Sequence, residues 1–216
     1  MRMKRTYLLL LGLGLLFLIQ AGGVAWSQVT DRVSVDSAGV EGNNASTVSS
    51  NSSDGRHVAF ESFATNLVAG GGDAFQDIYV HDRDFDGNGT YDEAGGVSTV
   101  RVSVDSVGNE QIGESLFPSI SGDGRYVAFQ SNADLVVDDT LGFLDIYVHD
   151  RDFDGDGIYD EPGQVSTIRV SEDSVGNEAD AASRQIAAGR KPLVTRHCKA
   201  GSRQSVSAFL FFFPDT

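Results

Sequence analysis

The sequence predicts an all-β protein made of two tandem four-stranded antiparallel sheets. Three observations predict it. The 216 residues hold two copies of one pattern, 68 or 69 residues apart: SSDGRHVAFES at 52–62 returns as SGDGRYVAFQS at 121–131, and DIYVHDRDFDG at 77–87 returns unchanged at 145–155. Within each copy, apolar residues alternate with period two and favour Val, Ile, Tyr and Phe, which is the pattern of a half-buried strand. After residue 27 no stretch keeps a helical period.

The N-terminal segment stands apart from these units. Arg2, Lys4 and Arg5 precede an apolar run of thirteen residues, 7–19, and Ala25-Trp26-Ser27 offers a small-x-small cleavage site. This is the layout of a signal peptide, 1–27, because the run is short for a bilayer span. Residues 28–45, with DRVSVDSAGVEG at 31–42, read as the last strand of a preceding repeat. The first full unit is 46–109 and the second 110–178.

Each unit reads as four strands. The first covers 115–121, mirrored by 46–51. Asp54-Gly55 and Asp123-Gly124 then supply tight turns. In the second strand Val58 and Phe60 alternate with His57 and Ala59. The third, 77–82 or 145–150, places Ile78 and Val80 on one face and Tyr79 and His81 on the other. The fourth is 98–104 or 166–170. Arg56 and Arg125 follow the turns and are expected to pair with nearby acids, and His81 and His149 to pack structurally beside Tyr79 and Tyr147.

Between the third and fourth strands lies a twelve-residue acidic stretch, DRDFDGNGTYDE at 82–93 and DRDFDGDGIYDE at 150–161. The first holds five carboxylates and the second six. At a spacing of ~5 Å each carboxylate pair repels by about 1 kcal/mol in a water-like dielectric. A hard cation reverses that sign, and oxygen ligands at alternate positions with glycines at the turn suit Ca²⁺. Two registers are open. One starts at Asp82 or Asp150 and ends at Glu93 or Glu161. The other starts at Asp84 or Asp152 and continues through Asp86, Asn88 and Asp92, or Asp154, Asp156 and Asp160. The second is preferred, since it puts Gly87 or Gly155 at position four where the first puts Phe85 or Phe153. Its twelfth position is Gly95 or Gly163, so Glu93 and Glu161, or Asp82 and Asp150, are left to supply the missing carboxylate.

The preferred loop resembles the DxDGDGxxD calcium loops of thrombospondin type 3 repeats and dockerins. S-x-DGR-x-VAF, then DIYVHDR, then T-x-RVS resembles the WD40-like or TolB-type β-propeller blade over about 45–178. The resemblance implies two propeller blades in an incomplete, open propeller, with the third-to-fourth hairpin lengthened by the acidic stretch. Flanking strands also argue against a true EF-hand, which needs helices. Propellers close with four to eight blades. After Ser183 the family expectation is a further strand, a DGR turn and VAF, but 184–203 is basic and the period is lost. Residues 179–216 are therefore expected to be a divergent tail, disordered or frameshifted, and open sheet edges to favour self-association.

The formal net charge is −15, moving to −18 without the three cations of 1–27. That disfavours nucleic acid as a partner. It fits a secreted, periplasmic or envelope protein that binds a protein partner and has no membrane span once the signal peptide is cleaved. Cys198 is the single cysteine, so no intrachain disulfide forms. There is no GxSxG elbow, P-loop, dinucleotide fingerprint, HExxH or CxxC. The expected function is therefore a calcium-binding interaction module rather than an enzyme. The alternative is the propeller portion of an extracellular hydrolase acting on glycans or peptides.

Overall fold

A computed structural model describes residues 30–72 and 75–185, and the two-residue strand Ser207–Ala208. The signal peptide expected at 1–27, and most of the expected tail, lie outside the described residues. By contacts the chain divides at residue 30, and every strand belongs to the unit 31–216.

The described residues are all-β, with two four-stranded antiparallel sheets, each in plain sequence order. The first comprises β1 (Ser46–Asn51), β2 (His57–Ser62), β3 (Asp77–Asp82) and β4 (Ser98–Arg101). The second comprises β5 (Ser115–Ile120), β6 (Tyr126–Ser131), β7 (Asp145–Asp150) and β8 (Ser166–Arg169). No helix among the described residues is long and apolar enough to cross a membrane. The two sheets share one register: His57 faces Asp82 in the first, and Tyr126 faces Asp150 in the second. The β1–β2 turn forms because Gly55 takes φ 75° while Asp54 Oδ1 accepts from Arg56 N at 3.0 Å and from Ser52 Oγ at 2.6 Å. Asx acceptance of this kind is why Asp-Gly marks the turn in sequence.

Central strands differ from the half-buried expectation. Every residue of β3 is buried, as is nearly every residue of β7. The reason is stacking on both faces. Ala59, Ile78, Val80 and Val102 of the first unit pack with Ile120, Val127, Phe129 and Tyr147 of the second in one core. On its opposite face the first sheet packs Phe60 and Tyr79 against Ala64 and Leu67. The same residue pair thus meets a different neighbour in each unit: Phe60 stacks on Tyr79 at 5.9 Å and Phe129 on Tyr147 at 6.0 Å. Truncating a buried ring such as Phe129 to Ala costs about 3–5 kcal/mol.

Polar seams fix how the sheets stack. Ser115 N donates to Gln76 O at 2.8 Å, Ser53 N to Gly122 O at 2.9 Å, and Ile120 N to Ser50 Oγ at 3.3 Å. Glu61 spans the seam, accepting from Thr47 Oγ1 at 2.7 Å and from Phe117 N at 2.9 Å. Phe117 sits at a β5 bulge with φ 54°, a conformation that a non-glycine residue holds only when its surroundings enforce it.

Residues 31–42, expected as the last strand of a preceding repeat, instead form a clip on β4. Val35 bridges Glu41, Thr99 Oγ1 donates to Val35 O at 2.6 Å, and Thr99 N donates to Ser37 Oγ at 2.9 Å. The linker between the sheets repeats this contact on β8: Thr167 Oγ1 donates to Val104 O at 2.6 Å and Thr167 N to Ser106 Oγ at 2.9 Å. β4 ends at Arg101, short of the 98–104 expected, with Val102 N still donating to Ile78 O at 2.9 Å. A third copy of the turn closes on Glu172 and Glu178. Beyond it, Ser183 N donates to Leu144 O at 2.6 Å, the bond Ser115 makes to Gln76 68 residues earlier. The short β9 (Arg184–Gln185) follows and pairs in parallel with β10 (Ser207–Ala208).

Candidate metal centre

The acidic stretches form the tips of the β3–β4 and β7–β8 hairpins. Their bases are held at Asp82 opposite Ser98 and at Asp150 opposite Ser166. Gly87 and Gly155 take φ 68° and 75°, Gly89 and Gly157 take 84° and 90°, so the chain turns sharply where glycine alone is unstrained. Asp84 and Asp152 each accept a backbone bond across the turn, from Gly89 N at 3.1 Å and from Gly157 N at 3.2 Å. The loops close on themselves: Asp92 N donates to Arg83 O at 2.8 Å, and Asp160 N to Arg151 O at 2.7 Å.

Arginines sort the carboxylates into two groups. Arg56 grips Asp82 with two bonds of 2.7 Å, and Arg125 grips Asp150 at 2.7 and 2.8 Å. These are the pairings the sequence led one to expect for the arginines of the DGR turns. Burial pulls the Asp82 carboxyl upward, but His57 Nε2 at 3.5 Å and the Arg56 guanidinium outweigh it and hold Asp82 well below the usual carboxylate range. Arg83 Nε donates to Asp92 Oδ1 at 3.0 Å, and Arg151 Nε to Asp160 Oδ1 at 3.0 Å. Each of these guanidiniums also lies over a loop tyrosine, Tyr91 at 5.0 Å and Tyr159 at 4.9 Å. Four of the twelve sequence-selected residues, Asp82, Asp92, Asp150 and Asp160, are therefore neutralised inside the protein.

In the second loop, Asp152, Asp154 and Asp156 come together, with one carboxylate oxygen of each within 4.8 Å of the others. They are positions one, three and five of the register that begins at Asp152. Asp152 is buried; its Oδ2 accepts from Gly157 N and lies 3.7 Å from Arg125 Nη1, while its Oδ1 has no hydrogen-bond partner. A buried carboxylate oxygen without a donor is costly, and a hard cation is a group that satisfies it. The first loop is arranged differently. Asn88 Nδ2 donates to Asp86 Oδ2 at 2.9 Å and also to Glu93 Oε1, so an amide links those two acids. Glu161 lines a cleft of about 580 Å³ between its loop and the first sheet, beside His57, Tyr159 and Phe85.

The histidines are structural, as expected. His81 Nδ1 lies 2.8 Å from Thr99 Oγ1 and His149 Nδ1 lies 2.9 Å from Thr167 Oγ1, both rings buried. Burial lowers both, His149 to about 4, so they are neutral at physiological pH.

A second acidic cluster, Asp139, Asp145 and Glu178, was not singled out from sequence. Asp139 and Asp145 lie six residues apart, but Glu178 is 33 residues further on and meets them only through the sheet. The one available signal was a difference between repeats: 138–140 reads Asp-Asp-Thr where 70–72 reads Gly-Gly-Gly.

Compared with protein-family models, curated proteins and solved structures, the chain matches none.

Proposed function

We propose that this chain is a secreted or envelope-associated interaction module of the TolB-type or WD40-like propeller kind, whose acidic β7–β8 hairpin binds Ca²⁺. The observation that carries the calcium reading is the Asp152, Asp154, Asp156 cluster with its buried, unpartnered Asp152 Oδ1. Three carboxylate oxygens brought together by one tight turn are the hard donor set that Ca²⁺ takes. The first loop binds more weakly, since Asn88 replaces one carboxylate and already ties Asp86 to Glu93.

The ion's role is mechanical. It neutralises the tip and fixes a hairpin whose glycines would otherwise leave it free, and the stiffened tip becomes a rim for a protein partner. An affinity of roughly 10⁻⁴ to 10⁻³ M suits an extracellular module. What supports the propeller reading is that the two units share one core face to face and that Ser183 repeats the Ser115 contact where a third unit would begin. Thermal melts test the function: millimolar CaCl₂ raises the melting temperature of the wild-type protein, and Asp154→Ala removes most of that rise. An equal rise in both proteins refutes the hairpin site.

A further inference from the structure

We propose that Asp139, Asp145 and Glu178 form a second site for a hard divalent cation such as Ca²⁺, independent of the hairpin tips. Asp139 lies in the β6–β7 connection, Asp145 opens β7, and Glu178 closes the turn after β8. One carboxylate oxygen of each lies within 4.8 Å of the others. Asp139 and Asp145 are buried, and Asp139 Oδ1 and Asp145 Oδ2 have no hydrogen-bond partner. Their other oxygens are used: Tyr147 Oη donates to Asp139 Oδ2 and Ser171 Oγ to Asp145 Oδ1.

Arg169 does not satisfy the free oxygens. Its Nη2 lies 3.2 Å from Asp138 Oδ2, at the surface, while its Nη1 stays 3.8 Å from both Asp139 Oδ1 and Glu178 Oε2. At 3.8 Å there is no hydrogen bond. The first unit makes the contrast. There, among the described residues, Arg101 pairs with Asp77 at 3.3 Å and with Glu110. The second unit adds Asp138 and Asp139 to the same framework, leaving four carboxylates near one guanidinium, three of them in the cluster. A divalent ion brings the cluster close to neutrality and supplies a partner to each free oxygen; the three would ligate it through Asp139 Oδ1, Asp145 Oδ2 and a Glu178 oxygen. A proton is the competing solution, since burial and the nearby Asp139 push Asp145 up to about 6.

Terbium, a luminescent stand-in for calcium, tests the site. Tyr147 bonds Asp139, so an ion in the cluster sits next to a sensitising ring. The background is the full chain carrying Asp84→Asn, Asp86→Asn, Asp152→Asn and Asp154→Asn, which removes both hairpin sites, including the one beside Tyr91. Tyrosine-sensitised emission is expected to persist there and to weaken at least tenfold in apparent affinity on adding Asp139→Asn. Should that variant fail to fold by circular dichroism, Glu178→Gln at the half-buried edge of the cluster is expected to give the same loss. Emission absent from the background, or unchanged by the cluster substitutions, overturns the proposal in favour of a held proton. Because Asp139→Asn leaves the hairpin ligands in place, the hairpin reading stands or falls separately.

Discussion

Asp160→Asn separates an arginine partner from a metal ligand. Asparagine keeps the side-chain volume and tolerates the φ of 62° at this position. It also keeps the backbone bond to Arg151 O. It removes only the charge facing Arg151, whose side chain is 2 % exposed. What remains for that guanidinium is a neutral amide oxygen at 160, one bond to Gly124 O at 2.8 Å and the Tyr159 ring. Breaking a buried pair from one side costs about 3–5 kcal/mol, or roughly 6–20 °C in Tm for a domain of this size. The equivalent Arg83–Asp92 pair has an arginine side chain 26 % exposed, so Asp92→Asn costs about 1 kcal/mol or less. Urea unfolding in the presence of a chelator measures both. If Asp160→Asn leaves the chelated protein unchanged and abolishes only its stabilisation by calcium, Asp160 is a ligand and the sorting of carboxylates by arginine is wrong.

Two further outcomes follow from burial and close packing. His149 is held near 4 by burial, with Asp150 and Asp160 opposing that shift and Arg151 reinforcing it. Between pH about 6.5 and about 4 the unfolded chain takes up a proton here that the folded chain refuses. Stability is therefore lost as pH falls, by about 3 kcal/mol at this ring, and His149→Gln flattens the acid limb of urea midpoints against pH; an unchanged limb contradicts the buried neutral ring. At the DGR turns, Gly55 and Gly124 share a positive φ, of 75° and 85°, but a Cβ on Gly124 would stand 2.3 Å from the ring of buried His57 while one on Gly55 meets only Arg83 at 4.0 Å. Gly55→Ala thus costs about 1–2 kcal/mol and Gly124→Ala about 1–3 kcal/mol beyond that; equal losses would mean that the second turn does not rest on the first unit.

The strands were legible because each unit says the same thing twice. Alternation in DIYVHD and the Asp-Gly turns placed β2, β3, β6 and β7 to within a residue or two. Burial was less legible. Period-two alternation suggests one wet face, but in the first sheet Phe129 and Tyr147 of the second unit dry the Ile78–Val80 face and Ala64 and Leu67 dry the other. The acidic tips were visible as charge, but charge alone does not separate ligands from ion-pair partners. The arginine of each DRD triplet lies next to the acids in sequence, yet its partner is nine residues on, at Asp92 or Asp160, and depends on the loop folding back. The cluster of Asp139, Asp145 and Glu178 was hidden for the same reason, since the turn after β8 brings Glu178 back to the two aspartates.

Calorimetric titration of the full chain with calcium is the most direct test of the hairpin cage. Wild-type protein is expected to show a tighter component that disappears in the Asp152→Asn, Asp154→Asn variant, and a weaker one that disappears in Asp84→Asn, Asp86→Asn. If both variants take up calcium as the wild type does, or if the wild type releases no heat at millimolar calcium, the acidic tips are solvated turns and hold no ion.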